Sequence, residues 1–248
     1  MSKYTQKSGK WIYRPGQKEP FRLSRSRIEM FLECPRCFYL QNRLGLGRPS
    51  MPGFSLNSAV DELLKKEFDL LRESGQAHEL MKQYGIEAIP FSHPDMNKWR
   101  ENFVGISFVH PETNLEIFGA VDDVWINKDK ELIIVDYKST STSEEISLDS
   151  EYKQAYKKQM EVYQWLFRKN GFKVSPTGYF VFANADKGLA KFDGKLEFKM
   201  SIIAYEGDTG WIEPTIFQIH ECLNSDVIPS SGEKCEYCDY RKLTHKFE

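Results

Sequence analysis

Leu132-Ile133-Ile134-Val135-Asp136-Tyr137-Lys138 is the stretch on which the fold turns. Four consecutive large apolar residues read as a strand covered on both faces. The run then breaks into charge. Side chains alternate along a strand, so Asp136 and Lys138 share one face about 7 Å apart. Just upstream lies Phe118-Gly119-Ala120-Val121-Asp122-Asp123, and the turn Asn127-Lys128-Asp129-Lys130 between the two segments predicts a hairpin. That hairpin brings a second carboxylate, with Asp122 the candidate, toward Asp136.

Outward from this hairpin, three strands are expected over Phe103–His110, Leu115–Asn127 and Glu131–Lys138. A short helix capped from Ser24-Arg25-Ser26-Arg27 runs into Cys34. A longer one covers Leu56–Arg72, with Leu56, Val60, Leu63, Leu64, Phe68 and Leu71 at helical spacing, and a looser helical region reaches Lys98. After the hairpin come a helix over Tyr152–Asn170 stopped at Gly171, strands over Thr177–Ala185 and Lys195–Tyr205, and a last helix over Glu213–Leu223. This order predicts an α/β architecture, a central mixed β-sheet flanked by helices.

The 248 residues are 40% hydrophobic, 28% charged and 14% aromatic, which excludes wholesale disorder. We find no repeat and no linker long enough to separate one domain from another. The chain therefore reads as a basic N-terminal arm, 1–23, and a single domain, 24–248. The net charge of −2 argues against a histone-like coat. Charge is nonetheless uneven: Lys3, Lys7, Lys10, Arg14, Lys18, Arg22, Arg25 and Arg27 face a single acid, Glu19, over the first 28 residues. Such an arm can neutralise phosphates, or it is simply a solvated N-terminus; the sequence leaves both readings open. No apolar run approaches the ~18 residues of a membrane span, and MSKYTQKSGK has no signal-peptide character. A cytoplasmic protein without a membrane partner is the expectation.

Two carboxylates at one strand end form a hard oxygen site suited to Mg²⁺ or Mn²⁺. An ammonium one step away can hold an attacking water or stabilise charge developing on a phosphorane. About twenty residues on, Gln159 and Tyr163 lie at i and i+4, one face of a helix. Lys153, Lys157, Lys158, Arg168 and Lys169 decorate the same helix beside Tyr152, Tyr156 and Trp165, a mixture suited to tracking a single nucleic-acid strand and also found on solvated helix faces. The five histidines have no ligand spacing, and there is no phosphate loop of the ATP-motor kind.

Four of the five cysteines form two knuckles, Cys34-Pro35-Arg36-Cys37 and Cys235-Glu236-Tyr237-Cys238. Two such knuckles supply four thiolates to one metal centre. Tying together points about 200 residues apart costs on the order of 5 kcal/mol. A structural metal returns roughly 10 kcal/mol or more. Cys222 is left over and reads as a buried apolar residue.

Taken together, Gly119-x-x-Asp122, Asp136-x-Lys138 and Gln159-x-x-x-Tyr163 resemble, in order and spacing, the RecB-like branch of the PD-(D/E)XK nucleases. The resemblance spans roughly Ser24–Tyr240. It implies a restriction-endonuclease-like core and a metal-dependent DNA nuclease acting on single strands or DNA ends. By the same resemblance Asp122 and Asp136 bind the metal, Lys138 serves the hydrolytic water, and Gln159 and Tyr163 assist at the DNA. Many members carry a metal-binding His on the first core helix. Here Asn57 stands in its place, a weaker oxygen ligand, with Asp61 one turn on. That departure keeps a second reading in view, a catalytically silent DNA-binding or complex-organising module. Cys-Pro-Arg followed by Phe38-Tyr39-Leu40 further resembles the AddB-type and CRISPR-associated members, whose ends are pinned by a [4Fe–4S] cluster. Those members divide their ligands one and three, whereas here the division is two and two. The resemblance favours iron–sulfur and the paired knuckles favour Zn²⁺. Either staples the fold. The implied partners are DNA and a helicase or another recombination, repair or CRISPR protein.

Overall fold

The computed structural model describes residues 6–49, 53–150 and 153–247. Lys3 of the basic arm, Glu151 and the first residue expected in the Tyr152 helix lie outside them. In chain order the elements are β1 (Phe21–Ser24), α1 (Arg25–Glu33), α2 (Pro35–Asn42), α3 (Ser55–Ser74), α4 (Glu79–Gln83), β2 (Ala88–Pro90), α5 (Met96–Arg100), β3 (Ile106–His110), β4 (Leu115–Gly119), β5 (Asp123–Asn127), β6 (Leu132–Thr140), α6 (Gln154–Lys169), β7 (Thr177–Ala185), β8 (Phe198–Glu206), α7 (Ile212–Asn224) and α8 (Glu236–Thr244). No helix among the described residues is long and apolar enough to cross a membrane.

The chain divides into two compact units. The first combines 1–52, 107–118 and 210–248. Its sheet has the order β1-β4-β3, with β1 parallel to β4, and α1 packs on β1 and α7. The second unit, 53–106 and 119–209, holds the five-stranded mixed sheet β2-β5-β6-β7-β8, in which β6 and β7 are parallel and the other pairs antiparallel. Here α3 covers one face, where Leu64, Phe68, Trp125, Ile133, Val135, Tyr137 and Val181 share a core. α6 covers the other, and a Cβ added at Gly178 of β7 would sit 2.4 Å from the Met160 sulfur. β6 is thus covered on both faces, as its continuous apolar run requires.

The expected strand Leu115–Asn127 is two strands, β4 and β5, placed in different sheets. The chain turns between them because Val121 N–H donates to the carbonyl of Trp99 instead of a strand neighbour. Leu56 and Leu63, read from the sequence as part of the buried stripe of α3, are exposed; Leu64 and Phe68 carry the burial. α3 ends where Gly75 takes a left-handed conformation, φ 65°. α8, absent from the sequence reading, starts inside the second cysteine knuckle, with Cys235 as its N-cap, and carries Cys238.

Candidate active site and cysteine clasp

Asp136 and Lys138 stand on the α6 face of β6. Their register partners on β7 are Phe180 and Phe182, and Phe180 meets Tyr156 of α6. β5 and β6 pair with Asp123 opposite Val135. One residue further sets Asp122 opposite Asp136 on the same face, and Asp122 Oδ2 accepts a bond from the Tyr137 N–H at 2.9 Å. Asp136 is fully buried and its Oδ2 pairs with Lys138 Nζ. Lys138 Nζ also donates to Gln159 Oε1 at 3.3 Å and lies 4.6 Å from the centroid of the Tyr156 ring. Gln159 Nε2 donates in turn to Tyr163 Oη at 3.2 Å. Asp136, Lys138, Gln159 and Tyr163 form one connected chain of contacts, and Asp122 flanks it through the Tyr137 N–H. Gly119 belongs to it sterically: a Cβ there would lie 2.5 Å from Tyr163 Cε1.

Asp61 joins this set through a residue the sequence reading did not single out. Lys65 Nζ lies 2.7 Å from Asp61 Oδ2 and 3.5 Å from Asp122 Oδ1. Burial and the neighbouring Asp122 charge push the Asp61 carboxyl up, while Lys65 and Lys138 pull it back. Burial opposes the Lys138 ammonium, yet the charges of Asp136 and Asp122 outweigh it and raise its pKa. Lys65 follows the same pattern, raised against its burial by Asp122 and Asp61. Three carboxylates thus share two ammonium groups, with one negative charge in excess. Asn57, exposed on α3, directs its Nδ2 toward the Ser139 carbonyl at 3.5 Å. The donors Asp61, Asp122 and Asp136 are all hard oxygens, the donor chemistry a hard divalent cation takes; among the described residues, however, only the four cysteines bring their ligand atoms within 4.8 Å of one another.

The two adjacent acids have opposite fates. Asp123 points to the α3 face, fully buried. Its Oδ1 accepts from Arg72 Nη2 at 2.5 Å, from Arg100 Nη2 at 2.8 Å and from the Val124 N–H. Its Oδ2 accepts from Tyr137 Oη at 2.7 Å, and burial together with this carboxylate raises the Tyr137 phenol well above its ordinary value. Arg100 Nε also donates to the Asp122 carbonyl at 2.9 Å. Arg100 thus fixes the backbone that carries Asp122. No spacing signal in the sequence marks Arg72 or Arg100. Lys65, at i+4 from Asp61, had one. On α6, Trp165 packs in the core at 4% exposure and so does not present a stacking surface, contrary to the sequence reading; Lys157 lies over the Tyr205 ring.

In the first unit, all four knuckle sulfurs lie within 4.8 Å of one another and all four residues are buried. Three of the sulfur–sulfur edges measure 3.8 Å for Cys34–Cys238, 3.6 Å for Cys37–Cys235 and 3.7 Å for Cys37–Cys238. Cys34 Sγ accepts from the N–H groups of Gly232 at 3.2 Å and Cys37 at 3.4 Å. These bonds overcome burial and bring its pKa to about 7. Burial raises the Cys37 and Cys238 thiols. Arg48 Nη2 reaches Cys235 Sγ at 3.5 Å while its Nη1 pairs with Glu33 at 2.8 Å. Gly232 is obligatory where the chain ends meet, since a Cβ would lie 2.0 Å from the Glu33 carbonyl oxygen. A cavity of about 510 Å³ opens beside the clasp, and its lining includes Leu40, Arg48, Tyr237, Tyr240 and Arg241. Cys222, on α7, is half-buried, with its thiol pushed up to about 11 by burial and Glu221.

A strand-end acid pair beside a half-buried lysine, on a mixed sheet between two helices, defines a class. A family model described as the PD-(D/E)XK nuclease superfamily matches residues 55–243. The chain belongs to that superfamily, whose nucleases use divalent metals. Among solved structures the chain is similar to the crystal structure of SSO0001, at 16% identity over 92% of this chain and 87% of that one, with a TM-score of 0.37. No curated protein matches it significantly in sequence.

Proposed function

We propose that the protein is a Mg²⁺- or Mn²⁺-dependent deoxyribonuclease of the RecB-like, AddB-type branch, hydrolysing phosphodiester bonds on single-stranded DNA or DNA ends. The observation that carries this reading is the placement of Lys138 between Asp136 and Gln159, with Asp122 directly across the hairpin. Asp122 and Asp136 would hold the metal, with Asp61 and the Asn57 carbonyl at its margin. The metal supplies Lewis-acid activation of the phosphate and its attacking water. Lys138, fixed by Asp136, Gln159 and the Tyr156 ring, orients that water by hydrogen bonding. Gln159 and Tyr163 form a continuous polar edge against which the scissile strand is positioned. The half-buried lysines of α6 and its N-terminal flank, Lys153, Lys157 and Lys158, supply charge for a phosphate backbone. The partner is DNA, together with a helicase or another recombination, repair or CRISPR protein that delivers it.

Two observations favour a second reading, a catalytically silent DNA-binding or complex-organising module. Asn57 replaces the usual imidazole, and Lys65 already occupies oxygens of Asp61 and Asp122. Incubation of the full chain with end-labelled single- and double-stranded DNA separates the two. Degradation with Mn²⁺ that EDTA stops, and that Lys138→Ala abolishes, is the expected result. Binding with no metal-dependent degradation would establish the silent module instead.

A further inference from the structure

From the spacing of the clasp sulfurs we infer that Cys34, Cys37, Cys235 and Cys238 hold a single tetrahedral Zn²⁺ ion and not the iron–sulfur cluster that the family resemblance implies. With a Zn–S bond of about 2.3 Å, a regular tetrahedron has sulfur–sulfur edges of about 3.8 Å. The structure gives 3.6, 3.7 and 3.8 Å for three edges and keeps all six within 4.8 Å. A [4Fe–4S] cluster asks for a wider cage. Each thiolate caps a different iron and points outward, so the four sulfurs enclose eight cluster atoms and stand about 6 Å apart. A [2Fe–2S] cluster would keep two pairs close but separate one pair from the other. Neither arrangement matches a cage in which the contacts between knuckles are as short as a zinc tetrahedron requires.

The chain's own donors fit the same ion. A dication bound by four thiolates carries two negative charges, which burial makes costly unless nearby hydrogen bonds offset them. Three N–H groups are in place: Gly232 and Cys37 on Cys34, and the Arg48 guanidinium on Cys235. The two-and-two division of ligands, each pair bracketing a helix start at α2 or α8, is the zinc-knuckle pattern. This inference is independent of the nuclease reading, because it concerns a site in the other compact unit.

The test is metal analysis of the full chain, expressed with both iron and zinc supplied and purified without oxygen, followed by exchange into Co²⁺. The expected result is one zinc per chain, no acid-labile sulfide and no visible absorption. The Co²⁺ form should then show the intense visible bands of a tetrahedral tetrathiolate, lost in Cys235→Ser and retained in Cys222→Ser. Four irons and four sulfides per chain with broad brown absorption would overturn the assignment. A Co²⁺ form with the weak bands of six-coordination, or a chain that takes up neither metal, would overturn it equally.

Discussion

At the scale of single residues, Asp122 and Asp123 show how one position along a strand changes an acid's task. Asp123 is enclosed by Arg72, Arg100 and Tyr137, and its carboxylate is satisfied on every side. Asp122 faces the opposite way, 21% exposed, and has one backbone N–H and the Lys65 ammonium for company. Removing Asp123 leaves two guanidinium groups without their buried counter-charge, so Asp123→Ala should lower the unfolding free energy by about 3–5 kcal/mol. Asp122→Ala should lose less than half of that, because it also relieves the repulsion felt by Asp61. Urea unfolding of both variants checks this ordering; equal losses would contradict the division into an anchoring acid and a site acid. The sequence alone singled out Asp122 through the hairpin register, but it could not show the arginines. Arg72 and Arg100 come from separate helices, and only the fold brings them to one carboxylate.

At the scale of elements, β6 was legible because its apolar run is continuous and its charges begin abruptly at Asp136. The break between β4 and β5 was not. Ala120 and Val121 suit a strand, and the interruption is imposed from elsewhere, by the Trp99 carbonyl and by Gly105, where a Cβ would lie 2.1 Å from the Gly119 oxygen. α8 was illegible for a different reason. Glu236–Thr244 has no apolar stripe, and among its residues only Cys238 is buried. Such a helix of nine residues is marginal by itself and depends on its anchor. Stripping the Zn²⁺ inferred for the clasp with a strong chelator should therefore raise amide hydrogen exchange across residues 236–244 to nearly that of an unstructured peptide, while β6 and β7 stay protected. Mass spectrometry of the exchanged protein reads this directly. Undiminished protection of α8 would mean that packing, not the clasp, holds it.

At the scale of the whole molecule, the two candidate centres fall in different compact units. In the unit built from 1–52, 107–118 and 210–248, the four-cysteine clasp brings together segments about 200 residues apart. In the unit of 53–106 and 119–209, Asp122, Asp136 and Lys138 of the sheet meet Asp61 and Lys65 of α3. The match over residues 55–243 shows the family, and the chemistry proposed for it rests on the Asp136–Lys138 pair. The most direct measurement is single-turnover cleavage of an end-labelled single-stranded oligonucleotide with Mn²⁺, comparing the parent with Asp136→Asn, alongside binding of the same oligonucleotide by fluorescence anisotropy. The account predicts that the parent degrades the strand and that the variant is slower by about 10²-fold or more, with affinity unchanged and circular dichroism that of the parent. Cleavage by Asp136→Asn at the parental rate would contradict it.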